Sequence, residues 1–119
     1  MYKFERLEVY QLALDYIDQV YGVADKLPPT EIYNLGSQIR RAATSIALNI
    51  AEGSTGQSDP EQGRFLGLAI RSLLETVACQ HIIQRRHYLD KQQELLRKLE
   101  ESGRVLARKL QAVRRSLVK

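Results

Sequence analysis

Tryptophan is missing from this chain, cysteine occurs once, and proline and glycine fill only three and seven of its 119 positions. Each scarcity excludes something. Without Gly and Pro punctuation, a fold of many short strands is excluded. A lone Cys79 leaves no intramolecular disulfide framework and closes off the usual Cys-rich zinc sites. No apolar run approaches the roughly 20 residues of a membrane span, so no membrane partner is expected. The opening MYKFERLEVYQ mixes charges of both signs and has no apolar signal segment, which makes cytoplasmic localisation the expectation. The length suits one domain, 1–119.

Charge is unevenly spread. The net formal charge is +4, but from Ser102 onward there are six basic residues (Arg104, Arg108, Lys109, Arg114, Arg115, Lys119) and no acidic one. The first 101 residues carry 12 basic and 14 acidic side chains. Such asymmetry suits a polyanionic partner or, more plainly, a solvated basic helix face.

What the sequence does contain is helical periodicity. Leu7, Tyr10, Leu14, Ile17, Tyr21 and Ala24 step by three and four, predicting a first helix over 5–26 that Pro28 and Pro29 end. Thr30 is placed to cap a second, over 31–52, with Leu35, Ile39, Ala43, Ile46 and Ile50 facing inward and Gly53 as its stop. Gly36 allows an irregular entry to it. Ser58 or Asp59 caps a third, over 59–87, with Pro60 in its first turn. Its apolar side chains from Phe65 to Val77 spread over roughly 240° of arc, so it either sits centrally or also faces another subunit. The fourth, over 91–117, carries an unbroken heptad seam: Leu96, Leu99, Gly103, Leu106, Leu110, Val113 and Leu117. Short connections predict an all-α, antiparallel up-and-down four-helix bundle.

Enzymatic chemistry finds little footing. Glu-x-x-His metal pairs are missing, because Ala78 and Gln84 stand three residues before His81 and His87. Those two histidines project about 240° apart on one helix and cannot share an ion. Cys79, among Val77, Ala78, Ile82 and Ile83, reads as core. A non-enzyme without cofactor or metal is expected.

A polar stripe is the more informative feature. Gln38, Arg41, Ser45, Asn49 and Glu52 share one face of the second helix, and the third offers Arg64, Ser72 and Glu75. If these helices are antiparallel neighbours, Asn49 and Glu52 approach Arg64, and an Arg–Glu network would fix register or assembly. The plainer alternative is a solvent-facing polar surface. Asn and Ser are weak helix formers, which favours the network.

These residues also carry a family resemblance. Tyr33-x-Leu35, Gln38-Ile39-Arg40-Arg41-Ala42-Ala43, Ser45-Ile46, Asn49-Ile50-Ala51-Glu52-Gly53, Ser58, Glu61, Arg64-Phe65-Leu66, Ala69, Ser72-Leu73 and Glu75 resemble a family of small bacterial four-helix-bundle proteins. Its members were first known from reading frames inside intervening sequences of large-subunit ribosomal RNA genes, and are often labelled ribosomal-like. The opening Phe4-x-x-Leu7-x-Val9-Tyr10-Gln11-x-Ala13 and Tyr88-Leu89 extend the likeness over residues 4 to about 89. Departures include Asn34 and His87, where the family usually has Gly, and Arg71, where it has a small residue. The resemblance implies a ring or barrel of subunits, a pentamer, with the polar stripe near subunit contacts. It also implies a distant likeness to the accessory proteins of diversity-generating retroelements, which bind nucleic acid and a reverse transcriptase.

Two functions follow as expectations. One is an oligomeric nucleic-acid-binding or RNA-associated protein whose basic last helix contacts phosphates of RNA or DNA; the other is a homo-oligomeric scaffold for an acidic protein partner such as a reverse transcriptase. The basic segment has no aromatics, so it offers phosphate contacts and no base stacking.

Overall fold

The pattern of threes and fours becomes four long helices in the computed structural model, which describes residues 1–56 and 58–117. They are α1 (Glu8–Asp25), α3 (Leu35–Gly53), α4 (Asp59–Arg85) and α5 (Gln93–Ser116), with a single-turn α2 (Pro29–Ile32) between the first two. Lys3–Arg6 and Asp90–Gln92 are 3-10 turns that lead into α1 and α5. No strand occurs among the described residues. α1 packs on α3 and α5, and α4 packs on α3 and α5, so α1 and α4 stand at diagonally opposite corners. Neighbours run antiparallel: Glu8 meets Lys109, Ser45 meets Ser72, and Gly67 meets Arg114. The bundle measures 45 × 21 × 21 Å.

Helix ends differ from the sequence reading in instructive ways. The second predicted helix is broken at Tyr33–Asn34, and Pro28, not Thr30, is the residue before its first turn, with Pro29 as the first helical position. Proline's fixed φ suits that position better than a side-chain cap. The break leaves the Ile32 carbonyl without a helical donor, and Arg40 Nη2 donates to it at 3.2 Å. Ser58 does cap α4, its hydroxyl accepting from the Glu61 amide at 3.4 Å. α4 stops two residues earlier than expected because His87 takes φ +58 and the Tyr88 amide donates to the Ile83 carbonyl at 3.2 Å. That is the left-handed closure glycine usually supplies. Gly53 lies inside the last turn of α3 and does not stop the helix by its own conformation. A Cβ there would sit 2.8 Å from Phe65 Cβ, so its task is to let α4 come close.

The core confirms the predicted stripes of α3 and α5, uses that of α4 in part and corrects that of α1. Leu35, Ile39, Ala43, Ile46 and Ile50 of α3 are buried, as are Leu96, Leu99, Gly103, Leu106 and Leu110 of α5. α4 buries Leu66, Ala69, Ile70 and Leu73 while Leu74 stays exposed, so its broad apolar arc is only partly used. An 18-residue window of α4 is apolar enough to cross a membrane by length and composition, although 44% of it is buried in the bundle. In α1 the core line is Val9, Ala13, Tyr16, Val20, Val23 and Ala24. Of the predicted line, Ala24 is buried, Leu7, Tyr10 and Ile17 pack at its edge, and Leu14 and Tyr21 face outward. Two apolar lines run along α1, and the one with Tyr16 wins because α4 supplies hydrogen-bond partners for that phenol and Gly103 of α5 leaves room for its ring.

Those partners form a buried polar triad. Tyr16, Thr76 and Gln80 are almost fully enclosed. Thr76 spends its only hydroxyl proton on the Leu73 carbonyl at 2.6 Å, so Tyr16 donates to Thr76 Oγ1 at 2.7 Å and accepts from Gln80 Nε2 at 3.1 Å. Gly103 makes room for the ring, whose nearest atoms would lie 3.3 Å from a Cβ there. Burial pushes the Tyr16 phenol above its ordinary range, partly offset by the hydrogen bonds to Thr76 and Gln80.

Candidate nucleic-acid interface

Five of the six basic residues singled out from the sequence lie on the described part of α5, while Lys119 lies outside the described residues. Arg104, Arg108 and Arg115 fall within about 40° of one another around the helix axis. All three are exposed, opposite the Leu99–Leu106–Leu110 seam. The other two lean toward neighbouring helices, Arg114 while remaining exposed. Lys109 is half-buried, and its Nζ stands 3.0 Å from Glu8 Oε1, tying α5 to the start of α1. Arg114 lays its guanidinium over α4, with Cζ 3.0 Å from where a Cβ on Gly67 would be.

Pairing grades the outward face along its length. Near the start of α5, Arg97 is held by Glu94 on one side and Glu101 at 3.1 Å on the other. The hydrogen bond from Arg97 holds the Glu94 carboxyl below the usual carboxylate range. Arg104 Nη1 reaches Glu100 Oε1 at 2.9 Å. Arg108 and Arg115 make no ion pair among the described residues. The surface therefore turns from neutral to positive toward the C-terminal end of α5. Exposed pairs such as Arg104–Glu100 open at little energetic cost, so a polyanion can recruit that arginine as well.

The polar stripe is assembled across α3 and α4 in two parts. Ser72 donates to Ser45 Oγ at 2.9 Å, and Asn49 Nδ2 donates to Ser45 at 2.9 Å (carbonyl) and 3.0 Å (hydroxyl). One turn away Arg41 donates to Gln38 Oε1 at 3.3 Å, and Gln38 Nε2 donates to Glu75. The expected approach of Asn49 and Glu52 to Arg64 is absent. Arg64 folds along its own helix, Nε 2.9 Å and Nη2 2.6 Å from Glu61 Oε1, and covers the Phe65 ring at 4.5 Å. Phe65, next to Arg64, packs beside Gly53, next to Glu52. The stripe within one chain is thus a hydroxyl–amide cluster at Ser45, Asn49 and Ser72 and an Arg41–Gln38–Glu75 chain, with Glu52 left exposed.

The triad of Tyr16, Thr76 and Gln80 escaped the sequence reading. A signal existed: Leu73, Thr76, Gln80 and Ile83 step by three and four, placing two polar residues on an apolar face. Cys79 beside them is buried, and burial pushes its thiol up, with Glu75 adding to the shift. Its sulfur is kept away from thiolate chemistry. His81 and His87 are exposed, and His87 Nδ1 lies 3.2 Å from Asp90.

No curated protein matches this chain. A family model does, over residues 5–108, from the turn before α1 into the second half of α5. Lys109, Arg114, Arg115 and Lys119 lie beyond the matched span. A match over most of the bundle, α3 and α4 included, establishes membership: the chain belongs to the family of the 23S rRNA-intervening sequence protein.

Proposed function

We propose that this protein is a non-enzymatic, homo-oligomeric nucleic-acid-binding protein that contacts phosphates through the C-terminal half of α5. The observation that carries the reading is the one-sided outer face of that helix, where Arg104, Arg108 and Arg115 line up with no acidic residue after Glu101. The family's association with a ribosomal RNA intervening sequence supports RNA as the polyanion. Repetition of the face around an assembly would multiply a local potential that one subunit, at +4, supplies only weakly. Phosphate contacts of this kind give affinity and strong salt dependence without reading bases.

Fluorescence anisotropy with labelled single-stranded RNA, structured RNA and matched DNA, at two salt concentrations, tests this. The expected result is salt-sensitive binding. Replacing Arg104, Arg108 and Arg115 together by Gln should weaken it uniformly across sequences and reduce the salt slope by up to about three. Unchanged affinity in that variant would overturn the assignment. An absence of binding at low salt by folded protein would move the basic face to an acidic protein partner.

A further inference from the structure

An open groove between α1 and α3 presents hydrogen-bond donors and no carboxylate. Ser37, Arg40, Arg41, Thr44, Ser45 and Leu48 form its α3 side, and Tyr21 closes it from α1. The α3 residues step by three and one, which keeps them on one face over about 16.5 Å. The groove offers about 560 Å³, within the range of small-molecule sites. Neither Arg40 nor Arg41 makes an ion pair among the described residues. Glu75 is held off by Gln38, which takes up its carboxylate and stands between it and Arg41.

Most of these donors are fixed in place yet unspent. Arg40 is held by the Ile32 carbonyl at 3.2 Å and lies 5.9 Å from the centre of the Tyr21 ring. Gly36 leaves room for it, since a Cβ there would be 3.3 Å from Arg40 Nη1. Its Nε and Nη1 make no hydrogen bond among the described residues, and the same two atoms of Arg41 are free, because Gln38 engages only Nη2. Ser45 Oγ accepts from Ser72 at 2.9 Å and from Asn49 at 3.0 Å, which leaves its own proton without an acceptor among the described residues. Thr44 differs, its hydroxyl donating to the Arg40 carbonyl at 2.9 Å. The Tyr21 ring is 42% exposed.

We infer that this groove binds a nucleoside monophosphate, with its phosphate on Arg40, Arg41, Ser37 and Ser45 and its base against the Tyr21 ring. Two guanidiniums match the charge of about −1.5 to −2 on a phosphate monoester, and their planar forks suit its oxygens. A phosphodiester inside a strand carries only one charge, so the groove favours a terminal phosphate. A base stacks on an exposed aromatic ring whatever its identity. No amide or carboxylate lines the groove to read a base edge, so it recognises the class of ligand and not one base. α3 and α5 stand at diagonal corners, which separates this site from the phosphate contacts proposed for α5 and makes it independent of them.

Isothermal titration of the full chain with AMP, adenosine, the dinucleoside monophosphate ApA and inorganic phosphate tests the site. AMP should bind saturably, and adenosine and ApA about tenfold or more weaker, since each lacks the monoester. Arg41→Gln with Ser45→Ala removes two donors and should weaken AMP by about tenfold or more. Arg40 is kept, because it also holds the Ile32 carbonyl. Arg71→Gln makes the same charge change on the exposed side of α4, outside the groove, and should leave AMP affinity as it was. Tyr21→Leu should weaken AMP and spare inorganic phosphate. Circular dichroism checks that each variant is helical. Unchanged AMP affinity in the Arg41 and Ser45 variant, or no saturable binding by folded wild type, would overturn the inference. Inorganic phosphate bound as tightly as AMP would overturn the nucleotide assignment. None of these outcomes bears on RNA binding by α5.

Discussion

Two polar networks bridge helices in this bundle, and they differ in nearly everything except chemistry. Tyr16–Thr76–Gln80 crosses the centre, is almost fully buried and has each hydroxyl proton accounted for. The α3–α4 bridges through Ser45, Ser72 and Asn49 lie at a half-buried seam, and those through Gln38, Arg41 and Glu75 are exposed. A hydrogen bond lost at the seam is replaced by water, whereas one lost in the centre leaves an orphan. Location sets their worth.

The largest break in that contrast is Tyr16→Ala. It removes the ring packed against Gly103 together with both hydrogen bonds, and should destabilise the fold by about 3–5 kcal/mol in urea unfolding. Thr76→Val keeps the shape but leaves the Tyr16 proton without its acceptor, an expected loss of about 1–3 kcal/mol in the same measurement. Ser45→Ala at the seam should cost no more than about 0.5 kcal/mol, since Ser72 and Asn49 reach water. A Ser45→Ala loss as large as that of Thr76→Val would erase the distinction.

The subtlest test uses pH. Folding raises the Tyr16 phenol above its ordinary value of 10.0. Below that value both folded and unfolded states hold the proton and stability is unaffected. Above it the unfolded chain releases the proton first, so stability falls as pH rises toward the folded value. Tyr16→Phe should therefore show a shallower alkaline decline than the wild type, read as the difference between their unfolding midpoints from pH 9 to 11.

The seam was legible in sequence because polar residues at helical spacing stood beside an apolar line, and weak helix formers there needed a reason. Its partners were legible only in part. Ser45 to Ser72 and Gln38 to Glu75 follow from antiparallel neighbours. Arg64 pairs with Glu61 on its own helix and not with Glu52, a choice of partner that periodicity does not encode. The basic residues of α5 were all visible as letters, yet Lys109 is committed to Glu8 and Arg114 lies against α4 beside Gly67. Segments about 40 residues or more away in the chain decide which positive charges remain available.

By itself the sequence determined four helices, their order, the α3 and α5 core stripes and the family. These depend on local spacing, capping and punctuation. Tertiary structure decided which of two apolar lines on α1 turns inward, because Tyr16 needs acceptors and donors that only α4 supplies. It also decided which apolar residues of α4 are left over, since a four-cornered bundle covers one side of each helix and leaves the opposite side to whatever it meets next.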